Sequence, residues 1–172
     1  MRIALRDSEP LARGCDHRVA FGESPTTRGF SCTQKVGQAG GVVATFDTKS
    51  FYRRYIACCN EHRFDALSDF VHHDVVVNDG AQCGLHNYVE GLETVVRGFP
   101  DYHWELRHLL IDGSSIVAHF RDTGTHRGPF LGMAPTGRRV STQEFALYHL
   151  RGGKIAEAWV TADNLQVLDQ LR

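Results

Sequence analysis

The hydrophobic period of this chain changes at Pro100, and that change limits what the sequence can fold into. Apolar residues over residues 85–99 recur at the spacing of an amphipathic helix. Beyond Pro100 the period becomes two, because Tyr102, Trp104 and Leu106 alternate with polar residues. Proline ends the helix between the two patterns, since it lacks a backbone N–H and its ring clashes with the preceding turn. The sequence therefore predicts helices first and a meander of strands second.

Short-range signals predict the other elements. Gly152-Gly153 separates two alternating runs and indicates a tight hairpin, because primed turns need positive φ. The remaining predicted elements are a helix after an Asp47 N-cap, a short helix from Phe64, strands over His73–Asn78, Ile116–Thr125, Val140–Leu150 and Lys154–Asp163, and a last helical turn or two near Leu171. Helices gathered at one end of an antiparallel sheet define an α+β domain. A cone-shaped, strongly curved antiparallel sheet wrapped around N-terminal helices would leave a cavity for a small ligand.

The first 45 residues differ from the rest of the chain. They contain six Gly and two Pro, and their apolar residues follow no helical or strand period. We predict a loose, disordered N-terminal extension over residues 1–45 and one folded domain over residues 46–172. The chain of 172 residues is long enough to bury a substantial core.

Composition excludes several classes of protein. The formal net charge of −1 argues against a nucleic-acid binder, which needs a basic surface. No apolar run approaches the roughly 18 residues of a membrane span, and the N-terminus lacks the apolar region of a secretory signal. The five cysteines are odd in number and form no C-x-x-C pair, which favours a reducing cytoplasm. We expect a cytoplasmic protein with no nucleic-acid or membrane partner.

Two motifs carry a family resemblance. Residues 124–137 read GTHRGPFLGMAPTG, and residues 153–163 read GKIAEAWVTAD. Further matches are Asn60, the segment Phe99-Pro100-Asp101 and the closing Gln170-Leu171. Together these motifs resemble the SnoaL-like polyketide cyclases, over nearly all of the predicted domain and none of the extension.

The resemblance implies a fold, an activity and an assembly. The fold is the cone-shaped α+β barrel of nuclear transport factor 2, usually found in dimers or higher oligomers. The activity is an intramolecular aldol-type ring closure of a polyketide ester, without a metal or an organic cofactor. The acid/base residue of the family is an aspartate in the last strand, which corresponds to Asp163.

Asp163 is accordingly the first candidate catalytic residue. It follows Trp159 by four positions, so both side chains lie on one face of a regular strand. If that face lines the cavity, desolvation would raise the pKa of the carboxylate and make it a better base at neutral pH. Alternatively, Asp163 is the N-cap of the last helix.

Strand register adds Glu144 as a second candidate acid or base. If Arg151 pairs with Lys154 across the glycine turn, Glu144 lies opposite Thr161, on the cavity face. A single bulge would shift this register and bring Gln143 to the same face instead. The other interpretation of Glu144 is a solvated strand residue.

Histidines and aromatic residues complete the candidate site. His126 lies among the glycines of residues 124–137, where it could stabilise an enolate or hold the loop together. His119 precedes it by seven positions and would lie on the opposite face of a regular strand. The candidate substrate-binding residues are Trp159, His119, Tyr55, Asn60, Phe130 and Met133. No spacing of the ten histidines forms a metal-ligand motif, so we expect no metal site.

Three functions compete. The leading hypothesis is a small cofactor-free cyclase in which Asp163, His126 and Glu144 act on a hydrophobic small molecule. The second is an isomerase or dehydratase that uses the same carboxylate. The third is a non-catalytic module that binds a hydrophobic ligand or only dimerises. In each case we expect a homodimer or larger assembly through the convex face of the sheet, because large exposed apolar patches are rare in monomers.

Overall fold

A computed structural model describes residues 46–172. The predicted extension over residues 1–45 lies outside the described residues. The elements, in chain order, are helix α1 (Thr48–Asn60), a 3-10 helix (Phe64–Asp69), strand β1 (Val71–Val77), a short 3-10 turn (Asn78–Gly80), β2 (Gln82–Cys83), α2 (Leu85–Gly98), β3 (His103–Asp112), β4 (Ser115–Thr125), β5 (Arg139–Arg151), β6 (Lys154–Ala162) and α3 (Asn164–Leu171). Within these residues, no helix has the length and apolar character needed to cross a membrane.

The six strands form one curved, unclosed sheet in the order β2-β1-β6-β5-β4-β3. Strands β3 to β6 are consecutive antiparallel neighbours, as the alternating pattern predicts. The predicted α+β fold is therefore confirmed. One pairing differs from an all-antiparallel sheet, because β1 runs parallel to β6. A parallel pair needs a long crossover, and the whole segment from α2 to β5 supplies it.

Helix α1 begins where its sequence predicts. Asp47 is the N-cap, and its carboxylate accepts a hydrogen bond from the backbone N–H of Ser50 at 3.0 Å. The buried side of α1 carries two tyrosines, Tyr52 and Tyr55, whose rings pack against Tyr148 of β5 at 5.5 and 6.0 Å. These contacts hold α1 against the concave face of the sheet.

Side chains on β4 alternate strictly between the two faces of the sheet. Ile116, Ala118, Phe120 and Asp122 are all buried, and the residues between them are exposed or half-buried. Because successive strand residues point to opposite faces, these four side chains share the concave face. An acidic residue therefore stands in line with three apolar ones, inside the domain.

The hairpin of β5 and β6 contains a bulge that changes the predicted register. The strand ends pair across the glycine turn as predicted, but the pairing shifts between His149 and Leu150. Glu144 consequently lies opposite Ala162 rather than Thr161. A bulge adds one residue to one strand, so every later partner moves by one position and changes face.

Candidate functional site

A cavity of about 500 Å³ lies between the helices and the concave face of the sheet. This size falls in the range of small-molecule sites, and most of the lining is apolar or aromatic. The lining includes Tyr55, Ile56, Cys59, Tyr88, Leu92, Val95, Phe99, Tyr102, Trp104, Phe120, Phe130, Leu131, Val140, Glu144, Tyr148, Val160 and Val167. Glu144 is the acidic side chain of this lining, so it is the group with which a bound ligand could exchange a proton.

A second carboxyl lies beside Glu144 on the same face. Asp122 of β4 pairs with Thr142 of β5, which is two residues before Glu144, so the two acids are diagonal neighbours. Asp122 is fully buried, and its Oδ2 accepts a hydrogen bond from the hydroxyl of Tyr102 at 3.2 Å. Its Oδ1 has no hydrogen-bond partner within residues 46–172.

Burial favours the protonated form of both acids. Desolvation raises the pKa of Glu144, and the charge of Asp122 raises it further, while an interaction with the Trp104 indole lowers it. Desolvation also raises the pKa of Asp122, against the opposing effect of the Tyr102 hydrogen bond. Two neighbouring carboxyls in a low-dielectric site do not both ionise easily, because their negative charges repel each other. Near neutral pH the pair therefore keeps a proton that solvated carboxyls would have lost.

Four tyrosines supply hydroxyl groups to the cavity. The hydroxyls of Tyr55 and Tyr88 are hydrogen-bonded to each other, and Tyr102 and Tyr148 line the same space. Burial raises the pKa of each of these phenols. All four therefore remain neutral at physiological pH. Because each phenol has one O–H and Tyr102 donates its own to Asp122, the donors left for a carbonyl oxygen are on Tyr148 and on one member of the Tyr55–Tyr88 pair. The predicted substrate-binding residue Tyr55 lies in this lining.

Asn60 acts on the cavity through Trp104. Its side-chain N–H donates to the backbone oxygen of Trp104 at 3.0 Å, and its Oδ1 accepts from the backbone N–H of Trp104 at 2.8 Å. The amide thus pairs with both backbone polar groups of one residue and ties the end of α1 to β3. Asn60 was expected to bind substrate, and the structure instead puts it behind the cavity wall, where it fixes the backbone of Trp104, which lines the cavity together with Glu144.

His126 is fully buried in the loop between β4 and β5. Its Nδ1 accepts from the backbone N–H of Thr136 at 3.3 Å, and its ring packs against Phe99 at 5.2 Å. An Nδ1 that accepts leaves the proton on Nε2. That Nε2 has no partner among the described residues. His126 joins the two ends of the loop, and the cavity lining does not include it.

Asp163 lies in the helix-capping position that the sequence left open, and Trp159 lies outside the cavity. Asp163 is the N-cap of α3, where its exposed carboxylate accepts from the backbone N–H of Gln166 at 2.9 Å. Trp159 lies on the outer face, and its indole N–H donates to Asp79 at 2.7 Å. Neither side chain belongs to the cavity lining. The bulge in the hairpin accounts for this, since it turns Ala162 and not Thr161 toward the cavity face.

His119 also lies on the outer face of the sheet. Its ring stacks between those of His108, at 5.2 Å, and Phe145, at 4.4 Å. Its two ring nitrogens lie 2.9 Å from His108 Nδ1 and 3.1 Å from the side-chain oxygen of Gln143. His119 therefore belongs to a three-ring stack on the outside of the domain, as the odd spacing from His126 indicated.

Comparison with known proteins identifies the family of this domain. A model of the SnoaL-like polyketide cyclase family matches residues 49–171. The chain belongs to this family. The resemblance drawn from the two motifs is thus confirmed, and it covers all helices and strands of the SnoaL-like domain except the first residue of α1.

Several solved structures share the fold of this domain. One is a SnoaL-like polyketide cyclase from Agrobacterium tumefaciens, which is 28% identical to this chain. The match covers 71% of this chain and 95% of the cyclase, with a TM-score of 0.63. IdmH from Streptomyces antibioticus, a proposed polyketide cyclase, is 20% identical over 73% of this chain and 98% of its own, with a TM-score of 0.66. AclR from Streptomyces galilaeus, a proposed hydroxylase, is 23% identical over 72% of this chain and 83% of its own chain, with a TM-score of 0.66. No curated protein sequence matches the chain.

The family signature over residues 124–137 packs against the end of α2 in this SnoaL-like domain. Gly128 lies so close to α2 that a Cβ there would meet the backbone oxygen of Arg97 at 2.0 Å. The backbone N–H groups of Arg127 and Gly128 both donate to the oxygen of Gly98, at 2.9 and 3.0 Å. The glycine thus lets two backbones approach, which positions Phe130 in the cavity lining.

Met133 is the last of the predicted substrate-binding residues. Met133 is half-buried and bridges to Phe130 through the backbone, beside the cavity lining.

His72, His73 and Asp74 bring possible metal-ligand atoms within 4.8 Å of one another. Arg151 already engages two of them, because its guanidinium donates to Asp74 at 2.7 and 2.8 Å and its carbonyl oxygen lies 2.7 Å from His72 Nε2. A metal at this place would have to compete with the Arg151 guanidinium for the carboxylate of Asp74.

Asp122 is the site residue that sequence reasoning missed. The signal was present, because Asp122 follows Phe120 by two positions in a run whose alternate members are apolar. An acidic residue in phase with the buried face of a strand indicates a buried carboxyl. The family motifs point instead to the last strand.

Proposed function

We propose that this protein is an acid/base cyclase that closes a ring within a hydrophobic ester by an intramolecular aldol-type reaction. The observation that carries the proposal is the carboxyl of Glu144 in the lining of an apolar cavity, beside the buried Asp122. An acid with a raised pKa is a suitable proton-transfer group near neutral pH. Membership of the SnoaL-like family supports the reaction class.

The proposed reaction uses one carboxylate twice. Ionised Glu144 removes a proton from a carbon next to the ester carbonyl, which gives an enolate. The enolate carbon attacks a second carbonyl carbon of the same molecule, a carbon–carbon bond forms, and the resulting alkoxide takes the proton back from Glu144. No electron leaves or enters the substrate, so the reaction balances without a redox cofactor, and the buried phenols can donate to the enolate oxygen without a metal.

Asp122 and Trp104 are positioning residues in this scheme. The charge of Asp122 raises the pKa of Glu144, and Asp122 also holds the hydroxyl of Tyr102 at 3.2 Å. A higher pKa makes the ionised carboxylate a stronger base. The Trp104 indole opposes this shift, so Asp122 and Trp104 together adjust a pKa that burial has already raised.

We assign Asp163 to helix capping rather than to proton transfer. Its carboxylate accepts from the first turn of α3, a common use of aspartate at an N-cap. The family resemblance implies the opposite role, and one pair of variants separates the two. Glu144→Gln and Asp163→Asn each keep the shape of the side chain and remove the base.

The test is turnover of methyl esters of aromatic polyketides that carry an activated methylene and an internal ketone. Glu144→Gln should lower turnover by about 10²–10⁴-fold with substrate binding retained. Asp163→Asn should keep near-normal turnover, and Glu105→Gln, an exposed glutamate on the outer face, is the matched control. Loss of turnover in Asp163→Asn with normal turnover in Glu144→Gln would contradict the assignment.

The same experiment separates the competing functions. Aldol ring closure and isomerisation both leave the mass unchanged, so the connectivity of the product separates them. A product with a new carbon–carbon bond that closes a ring identifies a cyclase, a product of the same mass without that bond identifies an isomerase, and loss of water without ring closure identifies a dehydratase. Binding of these esters without turnover by the parent protein identifies a ligand-binding module.

We propose that a second copy of the chain covers the outer face of the sheet. Leu110, Val117 and Phe145 lie on that face with exposed fractions of 69%, 42% and 51%. Register brings Val117 beside Leu147 of β5, so these apolar side chains lie on adjoining strands. The charged and histidine side chains beside them would make the interface partly polar.

A further inference from the structure

We propose that Leu131 is a specificity-determining residue at the mouth of the cavity, where it favours ligands whose apolar part extends beyond the cavity itself. The inference rests on the proposal that this cavity is the ligand site. It adds a residue and a ligand property that the acid/base chemistry does not require.

Leu131 lies in a tight turn. The backbone N–H of Phe130 donates to the oxygen of Met133 at 3.1 Å, and the N–H of Met133 donates to the oxygen of Phe130 at 2.9 Å. The two residues between them, Leu131 and Gly132, have φ values of 46° and 78°. Positive φ at both central positions is what a type I′ turn requires.

Leucine is a poor residue for this turn. Type I′ turns strongly prefer Asn-Gly or Asp-Gly, because asparagine and aspartate tolerate the left-handed region. The other non-glycine residues with positive φ in the described part of the chain are His62, Asn78 and Asp79, all of the types enriched there. Leu131 is the aliphatic exception, so its side chain is not explained by the stability of the turn.

The side chain of Leu131 is also poorly explained by packing. It is 55% exposed, yet it belongs to the cavity lining together with its neighbour Phe130. Phe130 anchors the turn, because its ring packs edge-on against Phe99 at 5.0 Å. Leu131 is therefore held at the boundary between the cavity and solvent, with apolar surface that the domain itself leaves uncovered.

A strained backbone and an exposed apolar side chain at a cavity mouth point to the same use. Residues kept in unfavourable backbone conformations are often found at ligand sites, where the surrounding structure enforces them. A ligand contained wholly in the cavity would gain little from Leu131. A ligand with an alkyl or aryl extension would cover it and gain the transfer of apolar surface out of water.

Two fluorescent probes that differ only in chain length test this inference. Prodan and laurdan share a naphthalene chromophore and carry a propionyl and a dodecanoyl chain, respectively. Leu131→Asn should weaken laurdan binding about fivefold, since the leucine is half-exposed before binding, and should leave prodan within about twofold. The same variant should raise the melting temperature, because asparagine is favoured at positive φ.

Two further variants act as controls. Leu131→Met keeps an apolar side chain in the same strained position, so both probes should bind as in the parent protein. Leu165→Asn makes the same polar change at a leucine that is 76% exposed and outside the cavity lining, and it should move neither affinity.

Three outcomes would overturn the inference: parental laurdan affinity in Leu131→Asn, equal weakening of both probes, or a melting temperature that falls along with affinity. The last would show that the leucine serves the turn. If the proposed cyclase activity is wrong, the parent protein itself fails to turn over esters, while the comparison of probe affinities still decides the role of Leu131.

Discussion

Asp122 and Glu144 lie diagonally across β4 and β5, and the charge of Asp122 adds to the desolvation that raises the pKa of Glu144. Desolvation acts on both carboxyls in the same direction. The concave wall of this domain thus holds two acids whose protonated form costs the folded state less free energy than their ionised form. Such an arrangement works against stability at neutral pH and favours proton transfer there.

The first prediction concerns stability against pH. A carboxyl whose folded pKa is raised stabilises the fold fully below its unfolded pKa, about 4.3 for glutamate, and loses that contribution as pH rises through the folded pKa. The glutamine of Glu144→Gln does not ionise, so this variant does not lose stability in that way as the pH rises. Its melting temperature should exceed that of the parent by a few degrees at pH 8 and by nothing measurable at pH 4.

Calorimetry at the two pH values checks this expectation, with Glu105→Gln as the control. Glu105 is exposed and paired with Arg107 on the surface, so its variant should show no gain at pH 8. A Glu144→Gln protein that melts below the parent at pH 8 would mean that the ionised carboxylate has a structural partner.

The second prediction concerns the amide that holds Trp104. Asn60→Ala removes two hydrogen bonds and leaves the backbone N–H and oxygen of Trp104 without them. We expect a loss of about 1–3 kcal/mol in the free energy of unfolding. Asn87→Ala, which removes one exposed hydrogen bond on α2, should cost less.

Activity provides an independent readout of Asn60. The Trp104 indole lowers the pKa of Glu144, so a displaced indole lets that pKa rise further. The acidic limb of the pH–rate profile should therefore move to higher pH in Asn60→Ala. A stability loss with an unchanged profile would show that Asn60 supports the fold alone.

The third prediction concerns the family signature. A Cβ at residue 128 would meet the backbone oxygen of Arg97 at 2.0 Å, and backbone cannot move aside as a flexible side chain can. Gly128→Ala should therefore lower the melting temperature strongly and loosen the wall that carries Phe130. Gly137→Ala in the same loop has open space around its Cβ and only an unfavourable φ of 72°, so it should cost about 1 kcal/mol. Equal effects of the two variants would contradict the steric argument.

Periodicity made the fold predictable, and register limited what could be said about the site. The change of period at Pro100, the Asp47 cap and the Gly152-Gly153 turn each depend on local chemistry, and all three appear in the structure as predicted. The face on which each side chain at the end of β6 lies depends on a bulge between His149 and Leu150. No local pattern in the sequence predicts that bulge.

Glu144 shows how a correct position can follow from an incorrect register. The sequence put it on the cavity face opposite Thr161, whereas it reaches that face opposite Ala162. Its side is fixed by the alternation within β5 itself, which the bulge leaves intact between Val140 and Tyr148. The register with β6 was misassigned, and with it the face of the sheet on which Trp159 lies.

The fourth prediction concerns assembly through the outer face. Phe145 is 51% exposed in the middle of β5, and its ring stacks on His119 at 4.4 Å. A second copy packed on this face would bury that ring. Phe145→Glu would then place a charge in the interface, and the free energy needed to remove that charge from water would disfavour association. We expect the parent protein to be a dimer or larger by light scattering at micromolar concentration, and Phe145→Glu to be a monomer with its fold retained. Leu165→Glu, at an exposed leucine of α3 rather than on a strand, should leave the assembly unchanged. A monomeric parent protein, or a Phe145→Glu variant with the parental mass in solution, would show that the outer face is not the interface.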